Sequence, residues 1–288
     1  RIQLQKQGHD LEDAPAVHAQ LAIALWETGE NPERIIDLLE TAAQSPGNLE
    51  LVWRQRYRTI FRIREQDAQK SEHLEKELLT VFEDLCDRLP HAPEPPWLTA
   101  SVHSMRGDYK NALEFLEEVE FRAGLTENPE DWLGTEYWFD VAAALERTGE
   151  LERSEELFLD ILEKDPDHHS SLNYIAYMWA EQGINLDRAY QFVQRALRLD
   201  PENASYIDTL GWVYYQQGEF EKAYRELLRS SELMPEEPVI AEHLGDVLMK
   251  LDRPVEARGY YRIALALDPG DRLDIVLESL QAAEEAVS

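Results

Sequence analysis

Few positions in these 288 residues bring together side chains that could bind a metal, move a proton or attack a substrate. His168 and His169 stand beside Asp165 and Asp167, a donor set that a metal ion could use. Adjacent residues point in different directions, however, and the group follows Pro166, where a polar loop accounts for it equally well. Cys86 lies among Phe82, Leu85 and Leu89 and reads as a small buried residue. A reactive thiol needs a basic neighbourhood, and Arg88 alone supplies little of one. Paired carboxylates recur along the chain, but among 58 Asp and Glu residues such pairs arise by chance. There is no phosphate loop, dinucleotide fingerprint, nucleophile elbow or His-Glu-x-x-His. The expectation is therefore binding without catalysis, with no cofactor and no metal.

Two sets of side chains have types and spacing suited to binding. Residues 52–64 carry five arginines and no acid. At helical spacing Arg54, Arg58 and Arg62 form one stripe, with Trp53, Tyr57, Ile60 and Phe61 beside it. An anion or an acidic partner would suit that stripe; ion pairs to neighbouring acidic helices explain it as well. The second set is acidic and aromatic, and it follows from the balance of the whole chain: 28 Lys and Arg against 58 Asp and Glu, a formal charge of −30. Phosphate contacts require a basic surface, so this balance excludes a general nucleic-acid binder and a protein that docks on anionic lipid. With 43% hydrophobic residues, including 7 Trp, 12 Tyr and 8 Phe, the chain can still build a large core. A single cysteine excludes an intrachain disulfide. No apolar run approaches the roughly 20 residues that span a bilayer, so no transmembrane segment is expected.

The elements that position these side chains are legible as a repeat. Pro166, Pro201, Pro235 and Pro269 each close a similar phrase (Glu-Lys-Asp-Pro, Arg-Leu-Asp-Pro, Glu-Leu-Met-Pro, Ala-Leu-Asp-Pro) at separations of 35, 34 and 34 residues. Between them falls a turn: Thr148-Gly149-Glu150, Gln182-Gly183-Ile184, Gln217-Gly218-Glu219, then Leu251-Asp252-Arg253 with Asp in place of Gly. Small residues at Ala142, Ala176, Gly211 and Gly245 would let the first helix of each unit approach its partner, and Ala189, Ala223 and Ala257 would do so from the second. Large residues fill the i, i+3, i+4 positions between them. A proline after the second helix stops it. No such pair can bury its apolar face alone, so the pairs must stack.

In these landmarks, Leu210-Gly211, Tyr214, Ala223, Leu227 and Pro235 among them, the sequence closely resembles the tetratricopeptide repeat family. That resemblance implies an all-α solenoid, a right-handed superhelix of antiparallel helix pairs with a C-terminal capping helix. The expected organisation is one solenoid over 1–288. Its units are 14–46, an atypical 48–90, 93–128, 131–166, 170–201, 204–235 and 238–269, with a cap at 271–286. The wording around 174–177, 208–215 and 242–247 also resembles bacterial cell-envelope members that act as adaptors or assembly factors. The chain opens on Arg1 rather than Met and reads as an excised fragment. Its place would be the periplasm or envelope if a signal was removed, and the cytoplasm otherwise.

The family also implies which positions of each first helix face the concave surface. Carried onto this sequence they give a groove of Phe139, Asn173, Tyr177, Asp208, Trp212, Tyr215, Glu242 and Asp246. The basic residues of a carboxylate clamp are scarce there, with Arg147 and Lys250 far apart. Aromatic anchors rimmed by acids suit a protein or peptide partner with apolar and basic residues. The function expected is a non-catalytic scaffold or adaptor. The alternative is a self-associating structural homodimer formed through the N-terminal units, where Trp53, Tyr57 and Phe61 lie.

Overall fold

The computed structural model describes residues 89–287, together with 75–76, 78–80, 82–83 and 86–87. The stripe of Arg54, Arg58 and Arg62 and the units placed before residue 75 lie outside the described residues. Every regular element among those described is helical. The chain divides into two compact units, Arg1–Gly134 and Thr135–Ser288.

In the first unit, α1 (Glu94–Met105) and α2 (Tyr109–Ala123) form an antiparallel pair joined at Gly107. The proline-rich stretch before α1 is compatible with helix because Pro95 and Pro96 occupy its first turn, where no backbone N–H is needed. Asp108 caps α2 by accepting from Asn111 N–H. Arg122, almost fully buried, holds the loop before α1 in place. Its Nη1 donates to the carbonyls of Cys86, Leu89 and Ala92 at 3.3, 2.9 and 3.2 Å, while its Nε donates to Glu118 at 2.7 Å. One guanidinium thus gathers three backbone carbonyls of this stretch. Cys86 is buried, with Sγ 3.8 Å from Thr99 Oγ1. Burial pushes its thiol above the ordinary value, so it is packed rather than activated.

The second unit consists of four helix pairs and a closing helix. The pairs are α3 (Thr135–Arg147) with α4 (Leu151–Lys164), α5 (His169–Glu181) with α6 (Leu186–Leu199), α7 (Ala204–Gln216) with α8 (Phe220–Leu233), and α9 (Pro238–Lys250) with α10 (Pro254–Ala266). A 3-10 turn, Gly270–Arg272, leads into α11 (Leu273–Val287), which packs mainly on α10. Three of the four pairs turn on one residue of positive φ. Gly149 and Gly218 fill that position at +87° and +77°, and Asp252 fills it at +59°. This explains how Asp can stand where the other turns have Gly: Asp is among the residues that tolerate the left-handed region. The longer turn of the α5–α6 pair uses two such residues, Gly183 at +66° and Asn185 at +49°.

Small residues set the spacing inside each pair. Ala142, Ala176, Ala189, Ala223 and Ala257 are fully buried. A Cβ on Gly211 would lie 2.6 Å from Leu227 Cγ, and one on Gly245 would lie 2.4 Å from the Tyr261 ring. Phe158, Trp179, Leu227 and Tyr261 fill the space between helices and are inaccessible to solvent. Burial of each such side chain contributes roughly 2–3 kcal/mol. Buried hydroxyls are satisfied locally: Ser154 donates to Ala142 O and Ser230 to Ala204 O, both at 2.8 Å.

The close approach generates a prediction that runs against helix propensity. Gly245→Ala should destabilise the protein by about 1–3 kcal/mol, because the added methyl collides with a ring that has no room to move. Gly259→Ala, also within a helix but with nothing near its Cβ, should stabilise by about 0.5–1 kcal/mol. Urea unfolding of the two variants checks both signs.

Candidate functional site

The first helices present residues at spacings of three and four, which places them on one face of each. On α5 the series is Asn173, Tyr177 and Glu181; on α7 it is Asp208, Trp212 and Tyr215; on α9 it is Glu242 and Asp246. Helix α5 packs beside α7, and α7 beside α9, so these series adjoin.

A fully buried histidine, His243 of α9, organises the middle of this face. Its Nδ1 lies 3.0 Å from Asp208 Oδ1, and since a carboxylate only accepts, the ring donates. Trp212 lies parallel to the imidazole at a centroid distance of 4.0 Å and parallel to Tyr215 at 4.5 Å. Burial alone would lower the His243 pKa. The Asp208 carboxylate, with Glu181 and Asp246 adding to it, outweighs burial and raises it above 6.5.

Carboxylates gather around this ring and around Tyr177. Burial raises Asp246 above the usual carboxylate range, against the hydrogen bond it accepts from Tyr261 Oη at 2.7 Å. Glu146 of α3 is raised by burial and by Glu181, with Arg147 opposing. Tyr215 is pushed up to about 12 by burial and then by the Asp246 charge. Tyr177 moves upward by burial first and by Glu181 next, while Arg272 acts in the opposite sense and Asp208 and Glu146 add to the rise. Arg272 donates to Glu242 through Nε and Nη2, both at 2.7 Å, and its Nη1 is 3.8 Å from Glu181.

The residues named from the sequence therefore fall into different settings. Tyr177, Asp208, Trp212, Tyr215, Glu242 and Asp246 form one cluster joined by stacking, hydrogen bonds and charge. Within it Trp212 is only 6% exposed; its indole packs against His243 and does not stand open at the surface, while Tyr215 and Tyr177 keep partial access. Asn173 is buried, and its Oδ1 has no donor. Phe139 turns toward the α4–α5 side, with its ring edge-on to Phe158 and Tyr174 at 5.7 and 5.4 Å and His168 at 5.4 Å. His168 caps α5 through Nδ1, accepting from Ser171 N–H, and His169 Nδ1 meets Tyr206 Oη at 2.6 Å. Sequence reasoning missed His243 and Arg272. The signal for His243 was its place directly after Glu242 on a helix whose neighbour carries Asp208; Arg272 had only its position three residues after the last repeat proline.

The tetratricopeptide repeat model matches residues 135–204 and 209–272, the helix pairs that build this face. The matched stretch belongs to the tetratricopeptide repeat family. Two relatives from Pseudomonas aeruginosa are similar to part of the chain. TPR repeat-containing protein PA4667 is 30% identical over 123 residues, covering 43% of this chain and 20% of that protein. Type IV pilus assembly protein PilF is 32% identical over 112 residues, 37% of this chain and 43% of PilF. The similarity thus spans less than half of either relative. Among solved structures, the thermophilic TPR protein TTC0263 of Thermus thermophilus matches 68% of this chain and 99% of its own, with TM-score 0.54 and 22% identity. A chain of the APC/C hetero-tetramer Cut9-Hcn1 matches 98% of this chain and 50% of its own, with TM-score 0.70 and 13% identity. These likenesses establish the fold. Tetratricopeptide repeats serve generally as protein-interaction scaffolds and are typically non-catalytic. Among the described residues no helix is long and apolar enough to cross a membrane.

The histidine at the centre of the repeat face gives stability a pH dependence of defined sign. A group whose pKa is raised on folding stabilises fully below its unfolded value near 6.5 and loses that contribution as pH rises through the folded value. The free energy of urea unfolding should therefore fall as pH rises from about 6.5 through the folded-state value of His243. His243→Gln should flatten this slope relative to the parent. Asp246, Glu146 and Glu237, also raised, act in the same direction in the acid range, where His243 no longer titrates. Equal slopes for parent and variant would contradict the assignment.

Proposed function

We propose that the shared face of α3, α5, α7 and α9 captures a peptide segment of a protein partner, one that carries basic and apolar residues, and that the chain acts as a non-catalytic adaptor. The observation that carries this reading is the gathering of five carboxylates, Glu146, Glu181, Asp208, Glu242 and Asp246, on a face that also holds Tyr177, Trp212 and Tyr215. Concentrated negative charge on such a surface raises the local concentration of cationic segments and speeds their encounter. Partly exposed Tyr177 and Tyr215 offer apolar area with little conformational freedom to lose, the property that makes aromatic residues strong contact points.

The relatives' names, a pilus assembly protein among them, accord with an adaptor role.

Selection of random displayed peptides against the full chain tests this reading. The recovered sequences should be enriched in Arg or Lys next to aromatic or aliphatic residues. Tyr177→Ala combined with Tyr215→Ala should weaken the recovered peptides by about 2 kcal/mol or more, measured by titration calorimetry, while helicity stays the same. Affinity should also fall as salt is added. Recovery of acidic peptides, or binding indifferent to both substitutions, would remove the groove.

A further inference from the structure

Arg272 stands in the 3-10 turn Gly270–Arg272, outside the repeat pairs, yet its guanidinium reaches back onto the repeat face. Nε meets Glu242 Oε2 and Nη2 meets Glu242 Oε1, each at 2.7 Å. This two-pronged seat matches the planar fork of a guanidinium, and an ammonium group cannot reproduce it. Glu242 is 1% exposed, whereas the Arg272 side chain keeps 26% of its surface in solvent. Glu181 closes a third side at 3.8 Å.

We propose that the Glu242–Glu181 recess is an arginine-binding site, occupied in the unbound protein by the chain's own Arg272, which a partner's arginine replaces. The proposal rests on the groove reading above and gives its ligand a chemical identity. Three features of the fold support exchange over a permanent brace. Helix α11 packs mainly on α10, so withdrawal of the Arg272 side chain does not require undocking of the closing helix. Solvent already reaches about a quarter of the Arg272 side chain, which gives a competitor a path. Replacing one guanidinium with another also leaves no unpaired charge on the buried Glu242, the state that would be costly.

The test uses two blocked heptapeptides of Gly, Ala and Leu with a single central Arg or Lys, titrated into the full chain. In the parent protein the Arg peptide should displace the Arg272 Nε–H resonance, assigned through R272K. In R272A the same peptide should bind at least about tenfold tighter than in the parent, because the internal competitor no longer occupies the site. The Lys peptide should gain less, and E242Q added to R272A should abolish the gain. If R272A does not fold, R272K carries the comparison, since it retains the charge and loses the fork. An Arg peptide that binds while leaving the Arg272 resonance unmoved, with equal affinity in parent and variant, overturns self-occupation and leaves the groove intact. Equal gains for Arg and Lys overturn guanidinium recognition. No binding of the Arg peptide to either variant overturns the site, and the groove then stands or falls on the displayed-peptide selection.

Discussion

The backbone of α9 approaches α10 so closely that one methyl group at Gly245 would meet the ring of Tyr261 at 2.4 Å. Much of the second unit follows from this constraint and its counterpart at Gly211 and Leu227. A ring seated against a helix backbone fixes the pair to a single separation. The Tyr261 hydroxyl donates to Asp246, the next residue of α9. Packing and the proposed binding surface are thus one structure. A change in the core moves a carboxylate of the repeat face, and the first helices hold that face rigid because their other sides are committed to their partners.

The acidity of the chain becomes an organised feature at this face. Carboxylates on adjacent first helices lie side by side because equivalent repeat positions adjoin when pairs stack, so repetition of an acidic residue type produces a cluster and not a scatter. Two groups from outside that pattern temper the repulsion. His243 donates to Asp208 from within the stack, and Arg272 neutralises Glu242 from the turn after the last pair. The raised positions of Asp246 and Glu146 record how much burial remains unbalanced by cations.

Trp212 illustrates where residue type and residue setting part company. Its place in the repeat and its size both suggested an anchor open to a ligand. The neighbouring helix instead presents His243 to its face at 4.0 Å, and the indole becomes the floor of the site while Tyr215 retains access. Phe139 occupies the corresponding surface of α3 but finds Phe158, Tyr174 and His168 close by, so it packs between pairs. In both cases the deciding partners belong to other elements, 19 to 35 residues away, where a single helix's periodicity carries no information.

The sequence by itself determined the repeat period, the helical class and the position of each turn. Even the substitution of Asp252 for glycine was legible, because those features depend on local backbone preference and on the spacing of small and large residues within one unit. It also determined the acidic, aromatic character of the first helices. Only the tertiary structure decided which of those residues stay open, which stack, and which charges are paired. His243 reaches Asp208 across 35 residues and Arg272 reaches Glu242 across 30. Such pairings arise from the rotation of one helix pair against the next. That rotation is set by packed side-chain shapes acting between units, which the periodicity of a single helix does not encode.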